Sequence, residues 1–305
     1  MPGRAGDACA GRLPCDAVLE SHRSLRSLWP ATAWNSLALR PERLRSTYKP
    51  LSTALHDCAL VLNLQRGLRE PRIGDGPAMT ISTQDANRRR LFATSAAAVW
   101  IAAGLGYVIL EAIAATGLRN HYSYAHNFIS DLGITSRGMF QGRMIDSSLA
   151  CLMNTAFCLQ GALFLVGAVL IVRALEAQWA GLFLTLAAAN AVGNIVVATF
   201  HSGPAAHADG TIWVHQTGAL LAIVGGNAAI LVGSSIVRRA DGTPWYRRVS
   251  AGLGVLGLLS FVLLAIGSNV AAINILPPAV WERCSVYSII TWEMFTAAYL
   301  LTYRR

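Results

Sequence analysis

The sequence predicts an all-α fold, a polytopic membrane bundle of six transmembrane helices. Composition is the first observation, since 54% of the 305 residues are hydrophobic and only 13% are charged, whereas a soluble domain has about 25% charged residues. The second is that apolar segments of about 20 residues, enough to cross a bilayer core in a helix, alternate with short polar loops. Helices satisfy their backbone hydrogen bonds internally, so such segments are stable in lipid.

The six predicted spans follow one another from residue 91 to the end of the chain. They are residues 91–115, 145–172, 179–200, 213–237, 249–272 and 284–303. Their many Gly and Ala residues allow helices to approach one another closely, which favours a packed bundle. We therefore assign residues 79–305 to a single transmembrane domain.

Residues 1–78 differ in composition from the rest of the chain. They contain ten Arg, seven acidic residues and Lys49, the single lysine of the sequence. They contain no apolar segment of transmembrane length. A secretory signal needs an apolar core of roughly 7 to 15 residues, and this segment has none. We predict a poorly ordered tail, or alternatively an over-extended start upstream of a true initiator at Met79.

The arginines predict the orientation of the bundle. Ten flank the spans on one side, against four on the other; the ten are Arg88, Arg89, Arg90, Arg173, Arg238, Arg239, Arg247, Arg248, Arg304 and Arg305, and the four are Arg119, Arg137, Arg143 and Arg283. Positive residues are enriched in cytoplasmic loops. We therefore predict a multi-pass protein of the cell membrane with both termini in the cytoplasm.

The net charge of +9 raises the question of binding partners. Basic proteins bind nucleic acid through the phosphate backbone. Here the basic residues lie next to predicted spans, where they face anionic lipid of the inner leaflet. The predicted partner is membrane lipid, with another membrane protein as a further candidate, and no binding of nucleic acid is expected.

Histidine distribution predicts a polar site on the external side. All five histidines of the membrane domain fall there, with several carboxylates, and the candidate ligand-binding residues on this side are His126, Asp131, His201, His215 and Glu282. Imidazole and carboxylate are ordinary zinc ligands, so His201, His215 and Asp131 are also candidate metal ligands. Their spacing matches no HExxH pattern. The alternative is that they are separate solvated residues.

Glu293 is the sixth candidate, and it lies about ten residues into the last predicted span. A carboxylate inside a membrane is costly unless it is neutral or paired. We predict that it is buried and protonated, or hydrogen-bonded to an amide on a neighbouring helix. The spans supply several amides, which we otherwise interpret as helix-packing groups: Asn154, Gln160, Asn190, Asn194, Asn227 and Asn269.

Three short strings resemble a known family. They are YSYAHNFISDLG from Tyr122, HQTGA from His215, and ERCSVY from Glu282, the last followed by Trp292. In this order they resemble the DUF998 membrane proteins, a six-helix family of uncharacterised function similar in layout to the Frag1/DRAM/Sfk1 proteins. The resemblance covers about residues 91–301. It implies a six-helix fold and an association with lipid, but no catalytic residues.

One departure from that pattern follows the third span. Relatives tend to have a Phe-Pro turn with an acidic residue there, whereas this chain has FHSGP from Phe200 to Pro204. Family features at this turn are therefore not carried over to the chain.

The favoured function is a non-catalytic lipid- or partner-binding bundle with a polar pocket on the extracytoplasmic side. The alternative is a metal-assisted hydrolase acting on a lipid or envelope substrate at the outer leaflet, in which the metal lowers the pKa of bound water. A third and weaker hypothesis is haem ligation by His201 and His215. The sequence identifies no cofactor, and it leaves open whether the protein is an enzyme.

Overall fold

A computed structural model describes residues 83–119, 121–175, 179–238, 244–269 and 275–302, apart from the side chains of residues 237, 238 and 269. The predicted tail, residues 1–78, lies outside the described residues. The described part is predominantly helical. Its helices are α1 (Thr83–Thr116), α2 (Ala150–Leu175), α3 (Ala180–Thr199), α4 (Pro204–Ala208), α5 (Ile212–Arg238), α6 (Pro244–Asn269) and α7 (Pro278–Thr302).

The six long helices have the length and hydropathy needed to cross a membrane, and α4 is a short helix between α3 and α5. This result confirms the predicted all-α architecture with six spans. The chain is therefore a multi-pass membrane protein.

Four of the long helices, α1, α2, α6 and α7, begin five to eight residues away from the predicted start of their span. The second predicted span begins at Ile145, but that residue belongs to β2 (Arg143–Ile145), which pairs with β1 (Gly138–Phe140). Gln141 and Gly142 both have positive φ, as a two-residue hairpin turn requires. The last predicted span begins at residue 284, whereas α7 begins six residues earlier at a proline, a residue well suited to a first helical turn.

The long helices form a ring in which each packs against two neighbours. Around the ring the order is α1, α2, α3, α5, α6 and α7, and α7 closes it against α1. The span within α6 is only 22% buried, less than that of any other long helix, because α6 packs chiefly against α5 and α7. Most of the surface of α6 therefore faces the bilayer.

An aromatic cluster fills the middle of the ring. The Trp292 ring lies 5.1 Å from that of Trp100 and 6.3 Å from that of Phe164, measured between centroids. The Trp292 indole donates to Ser250 Oγ at 3.0 Å, and the Trp100 indole donates to the carbonyl of Phe164 at 3.2 Å. These bonds satisfy both indoles, so the cluster closes the bundle centre without leaving a buried donor unpaired.

The two ends of the bundle differ in character. One end, called here the loop end, carries residues 117–149 between α1 and α2 and residues 200–211 between α3 and α5. The opposite end, called the arginine end, carries Arg88, Arg89 and Arg90 in α1, with Arg173 in the last turn of α2. Because successive long helices run in alternating directions, every candidate residue except Glu293 lies at or near the loop end.

Candidate functional site

Residues 121–133 of the first loop are held against the beginning of α7. The backbone N–H of Ile129 donates to Glu282 Oε2 at 2.5 Å, and Arg283 Nη1 donates to the carbonyl of Asn127 at 2.7 Å. Two consecutive α7 residues therefore bind the same stretch of loop. Both residues lie in the first two turns of α7, which begins at Pro278.

Arg283 is buried among aromatic and acidic groups. Its guanidinium lies 3.7 Å from Glu111 Oε1 and donates to the hydroxyl of Tyr122. It also lies over the rings of Tyr122 and Tyr124, at 5.3 and 5.1 Å from their centroids. Burial raises the pKa of the Tyr122 hydroxyl despite the nearby arginine, so this tyrosine remains neutral. The buried cation is thus balanced by one carboxylate and two aromatic rings.

Glu111 joins α1 to this cluster. It is 1% exposed, near the end of α1, and it accepts a hydrogen bond of 2.8 Å from the hydroxyl of Tyr287 in α7. A buried carboxylate needs such partners, since leaving it unpaired would be costly. The cluster therefore connects α1, the loop and α7.

Asp131 makes its contacts within the first loop. Its Oδ2 accepts the backbone N–H of Phe128 at 3.0 Å and lies 3.2 Å from Nε of Arg143. The Arg143 guanidinium lies 5.0 Å from the centroid of the Phe128 ring. Asp131 is 1% exposed, so these contacts stabilise the turn and leave the carboxylate little access to solvent.

A central pocket lies beneath this loop, between α1, α2, α3, α5 and α7. Its volume is about 60 Å³, which is enough for several water molecules or part of a small ligand. Ile129 and Ser130 of the loop belong to its lining. The polar side chains of the helices that line it are Tyr107, Gln160, Asn190, Asn194, His215 and Glu282.

The side-chain amides of the pocket donate hydrogen bonds through their nitrogen atoms. Asn190 Nδ2 donates to the carbonyl of Ala222 at 2.6 Å, and Asn194 Nδ2 donates to the carbonyl of Asn190 at 3.0 Å. Gln160 Nε2 donates to Glu293 Oε2 at 2.8 Å. In contrast, Gln160 Oε1 and the Tyr107 hydroxyl are buried and have no hydrogen-bond partner within the described part of the chain.

His215 links the pocket to the turn after α3. Its Nδ1 lies 2.8 Å from the carbonyl oxygen of Phe200, and the side chain is mostly buried, with 8% exposed. Because a carbonyl only accepts, Nδ1 carries the hydrogen of this bond. The other ring nitrogen, Nε2, is therefore an acceptor whenever the imidazole is neutral.

Glu293 lies deeper than the other candidates. It is 0% exposed and is bonded to the amide of Gln160 on α2, which confirms its predicted burial and its predicted amide partner. Its second oxygen, Oε1, has no hydrogen-bond partner among the residues that the structure describes. A role for Glu293 in ligand binding stays a prediction.

His126 and His201 occupy more exposed positions in separate loops. His126 is exposed, and its Nδ1 lies 3.2 Å from Ser123 Oγ. His201 is half-buried, and its Nδ1 lies 3.5 Å from Thr135 Oγ1. Neither residue, nor Asp131, lines the central pocket. Of the six predicted ligand-binding residues, His215 and Glu282 therefore line one pocket. Glu293 does not line it but is hydrogen-bonded to Gln160, which does.

The candidate metal ligands do not form a cluster in the described residues. Among residues 83–302, outside the gaps in that description, no group of three or more His, Cys, Asp or Glu side chains is placed to hold a metal ion. A metal-binding role of His201, His215 and Asp131 stays a prediction.

Several site residues were not among the candidates chosen from the sequence. The sequence predicts only an external charge for Arg283 and a helix-packing role for Gln160, Asn190 and Asn194, and it does not single out Glu111. A signal was available for some of them, because Arg283, Tyr122 and Tyr287 all lie in the strings that resemble the family. For Tyr107 the sequence offers no comparable signal.

The ring of six spans, with a polar pocket near its loop end, defines a polytopic membrane protein. The chain belongs to the family described as "Protein of unknown function (DUF998)", which matches residues 88–299, more than half of its length. No curated protein and no solved structure matches it.

Proposed function

We propose that this protein is a non-catalytic membrane bundle that binds a lipid or a lipid-like ligand in its central pocket. The observation that carries the proposal is a pocket in which six polar side chains stand in an otherwise apolar lining: Tyr107, Gln160, Asn190, Asn194, His215 and Glu282. Buried polar groups in folded proteins almost always have a hydrogen-bond partner. A ligand that enters the pocket would supply it.

The lining favours a neutral ligand head with hydroxyl groups. Gln160 Oε1 can only accept, so it needs a donor, and a hydroxyl group can donate to it while accepting from Tyr107. Neither Lys nor Arg is among the lining residues of the described chain, whereas the carboxylate of Glu282 is, so an anionic head would meet no compensating charge. Glycerol-type heads have the required chemistry.

The apolar part of the lining suits the hydrocarbon next to the head, since a pocket volume of about 60 Å³ holds only part of such a ligand. Ile223, Val286, Ile289 and Ile290 contribute apolar surface from two facing helices. A few polar groups set within an apolar wall are typical of small-molecule sites. The ligand we propose is therefore amphiphilic, with its hydroxyl groups toward Tyr107 and Gln160.

We place the loop end on the extracytoplasmic side of the cell membrane. The support is the distribution of arginine, since Arg88, Arg89, Arg90 and Arg173 lie at the arginine end and cytoplasmic flanks are rich in such residues. The ligand would then come from the outer leaflet. Another membrane protein that presents the ligand is a possible partner in the same scheme.

The experiment measures binding of a monoacylglycerol to the purified full-length protein in detergent, by native mass spectrometry. Ala219 lines the pocket, whereas its neighbour Leu220 is 45% exposed, so Ala219→Phe fills the pocket and Leu220→Phe is the matched control. We expect Ala219→Phe to abolish binding and Leu220→Phe to preserve it. Gln160→Leu should weaken binding about tenfold, the value of one hydrogen bond to a buried group.

Equal binding of the monoacylglycerol by both phenylalanine variants would contradict the proposal, because the lipid would then be held elsewhere. Absence of binding by the wild-type protein would contradict the proposed glycerol-type head.

A further inference from the structure

Three charged side chains form a row at the surface of the loop end. Asp146 Oδ2 lies 3.7 Å from Nε of Arg119 and 3.4 Å from Nε of Arg137. The two arginine side chains are 69% and 67% exposed, whereas the side chain of Asp146 is 19% exposed. We call Arg119, Asp146 and Arg137 the Arg–Asp–Arg row, in which two exposed cations flank one carboxylate.

Backbone pairing fixes one half of the row. Leu118 forms an antiparallel bridge with Ser147. The next pair of facing positions is therefore Arg119 and Asp146, and the N–H of Arg119 donates to the carbonyl of Asp146 at 3.2 Å. Residues that face each other across antiparallel segments have neighbouring side chains.

The hairpin fixes the other half of the row. Gly138 of β1 pairs with Ile145 of β2, so Arg137 and Asp146 are the next facing positions beyond this pair. Adjacent extended segments lie about 5 Å apart, so Asp146 stands between two arginines on neighbouring segments. The row is therefore set by the backbone of three segments.

We propose that the Arg–Asp–Arg row binds the headgroup of an anionic phospholipid in the leaflet at the loop end. This site is separate from the central pocket, and the proposal does not depend on the function given above. It rests on the charge of the row, on its position at the ends of two spans and on its apolar surroundings.

The charge of the row matches a headgroup with one negative charge. Two guanidinium groups and one carboxylate leave one positive charge in excess within the row. Each arginine approaches Asp146 through Nε, at the inner end of its guanidinium, so the outer end stays toward the exposed surface. Arginine binds phosphate oxygens through such planar groups of donors. Phosphatidylglycerol supplies one negative charge, whereas the ammonium of phosphatidylcholine cancels the charge of its own phosphate.

The row lies next to the ends of two spans. Arg119 comes three residues after the end of α1 at Thr116, and Asp146 comes four residues before α2 begins at Ala150. At the same end of the bundle, Trp213 is the second residue of α5 and is 56% exposed. Exposed aromatic residues at the ends of spans are typical of the membrane interface, so the row adjoins the headgroups.

An exposed apolar pair lies beside the row. Met139 and Met144 face each other across the hairpin and are 62% and 36% exposed. Side chains alternate between the two faces of a strand, so both methionines share the face of the row. The other face packs on α4, where the ring of Phe140 lies 6.4 Å from that of His207. Apolar side chains beside cations are typical of surfaces that contact a membrane, which favours a lipid over free phosphate.

The test measures hydrogen exchange of the full-length protein in phosphatidylcholine nanodiscs, with and without phosphatidylglycerol. The reporters are the backbone N–H groups of residues 119 and 148, which form hydrogen bonds of 3.2 and 3.0 Å across the paired segments. These N–H groups exchange when the segments open, and a lipid bound to the row opposes opening. We expect phosphatidylglycerol to slow this exchange about threefold, as a ligand at about twice its dissociation constant does.

Two sets of variants separate the row from general surface charge. Arg119→Gln combined with Arg137→Gln should abolish the slowing by phosphatidylglycerol. The matched control is Arg247→Gln combined with Arg248→Gln, which removes the same charge from exposed positions of α6 at the arginine end and should preserve the slowing. Exposed ion pairs contribute little to stability, so these variants should fold.

The variant Asp146→Asn tests the excess positive charge. It removes the carboxylate that competes with the lipid for the two arginines, so phosphatidylglycerol should slow exchange more than in the wild type. A smaller slowing in this variant would overturn the role of the excess charge.

Three further outcomes would overturn the proposal. They are no slowing by phosphatidylglycerol in the wild type, equal slowing in the two double variants, and an equal slowing when inorganic phosphate is added to phosphatidylcholine nanodiscs instead of the lipid.

Discussion

The carboxylate of Glu282 accepts a hydrogen bond from the backbone N–H of Ile129, a residue 153 positions earlier in the chain. Both residues line the central pocket. This bond therefore fixes the loop over the pocket and, at the same time, orients one of the acidic groups inside it. The adjacent contact between Arg283 and the carbonyl of Asn127 holds the same stretch of loop.

Replacing Glu282 should release the loop from α7. Glu282→Ala removes the acceptor of the Ile129 N–H, and we expect a loss of about 1 to 3 kcal/mol of stability because a buried donor is left unpaired. Glu282→Gln keeps a carbonyl oxygen in place and should cost less. Hydrogen exchange at Ile129 checks the mechanism, with faster exchange in the alanine variant. Unchanged exchange there would show that Glu282 does not hold the loop.

Glu293 should tolerate a neutral amide better than an apolar side chain. Glu293→Gln retains the size and can still bond to Gln160, whereas Glu293→Leu leaves the Gln160 amide unpaired at a cost of about 1 to 3 kcal/mol. Thermal unfolding in detergent measures the difference. The double variant Glu293→Leu, Gln160→Leu should recover part of the loss, because no polar group then remains unpaired. A leucine variant as stable as the wild type would contradict the buried pair.

His215 and His207 should differ although both lie near the same turn. His215 is buried, lines the pocket and bonds to the carbonyl of Phe200, whereas His207 is exposed on α4. We expect His215→Ala to weaken monoacylglycerol binding while the protein still folds, and His207→Ala to have little effect on binding or stability. Native mass spectrometry and thermal unfolding separate the two effects. Equal, negligible changes in both variants would remove His215 from the site.

The orientation can be tested by cysteine labelling in intact cells. Single cysteines at residues 177 and 241, in the α2–α3 and α5–α6 connections, should be protected from an impermeant maleimide, while one at Arg137 should react. The expectation follows from the arginines at the ends of these helices. A background without the native cysteines is the control. Reaction at residue 241 in sealed cells would contradict the six-span orientation.

Local sequence patterns were sufficient for the spans but less so for their ends. Long apolar segments define transmembrane helices because hydrocarbon excludes unsatisfied backbone groups. The start of α2 was misplaced by five residues because Ile145 is apolar, although its backbone pairs with Gly138 in a hairpin. Apolar character alone does not distinguish a buried strand next to the membrane from the first turn of a helix.

The candidate site, like the helix ends, could be predicted only in part from the sequence. Glu293 could be predicted as buried and amide-bonded because a carboxylate within a span has few alternatives. The sequence groups His126 and Asp131 with His215 because all three are predicted on the same side of the membrane. In the structure, Asp131 forms an ion pair with Arg143, and His126 is exposed. A shared side of the membrane restricts depth only. It does not determine which side chains meet.

The sequence by itself determined the class of the protein, six apolar spans, because the free energy of burying each helix in lipid depends on its own composition. Only the tertiary structure decided which polar residues share a pocket, since that depends on how the helices rotate and pack around the ring. Tyr107 and Gln160 are the clearest case. They lie on different helices, 53 positions apart in the sequence, and only packing places both side chains in the lining of one pocket.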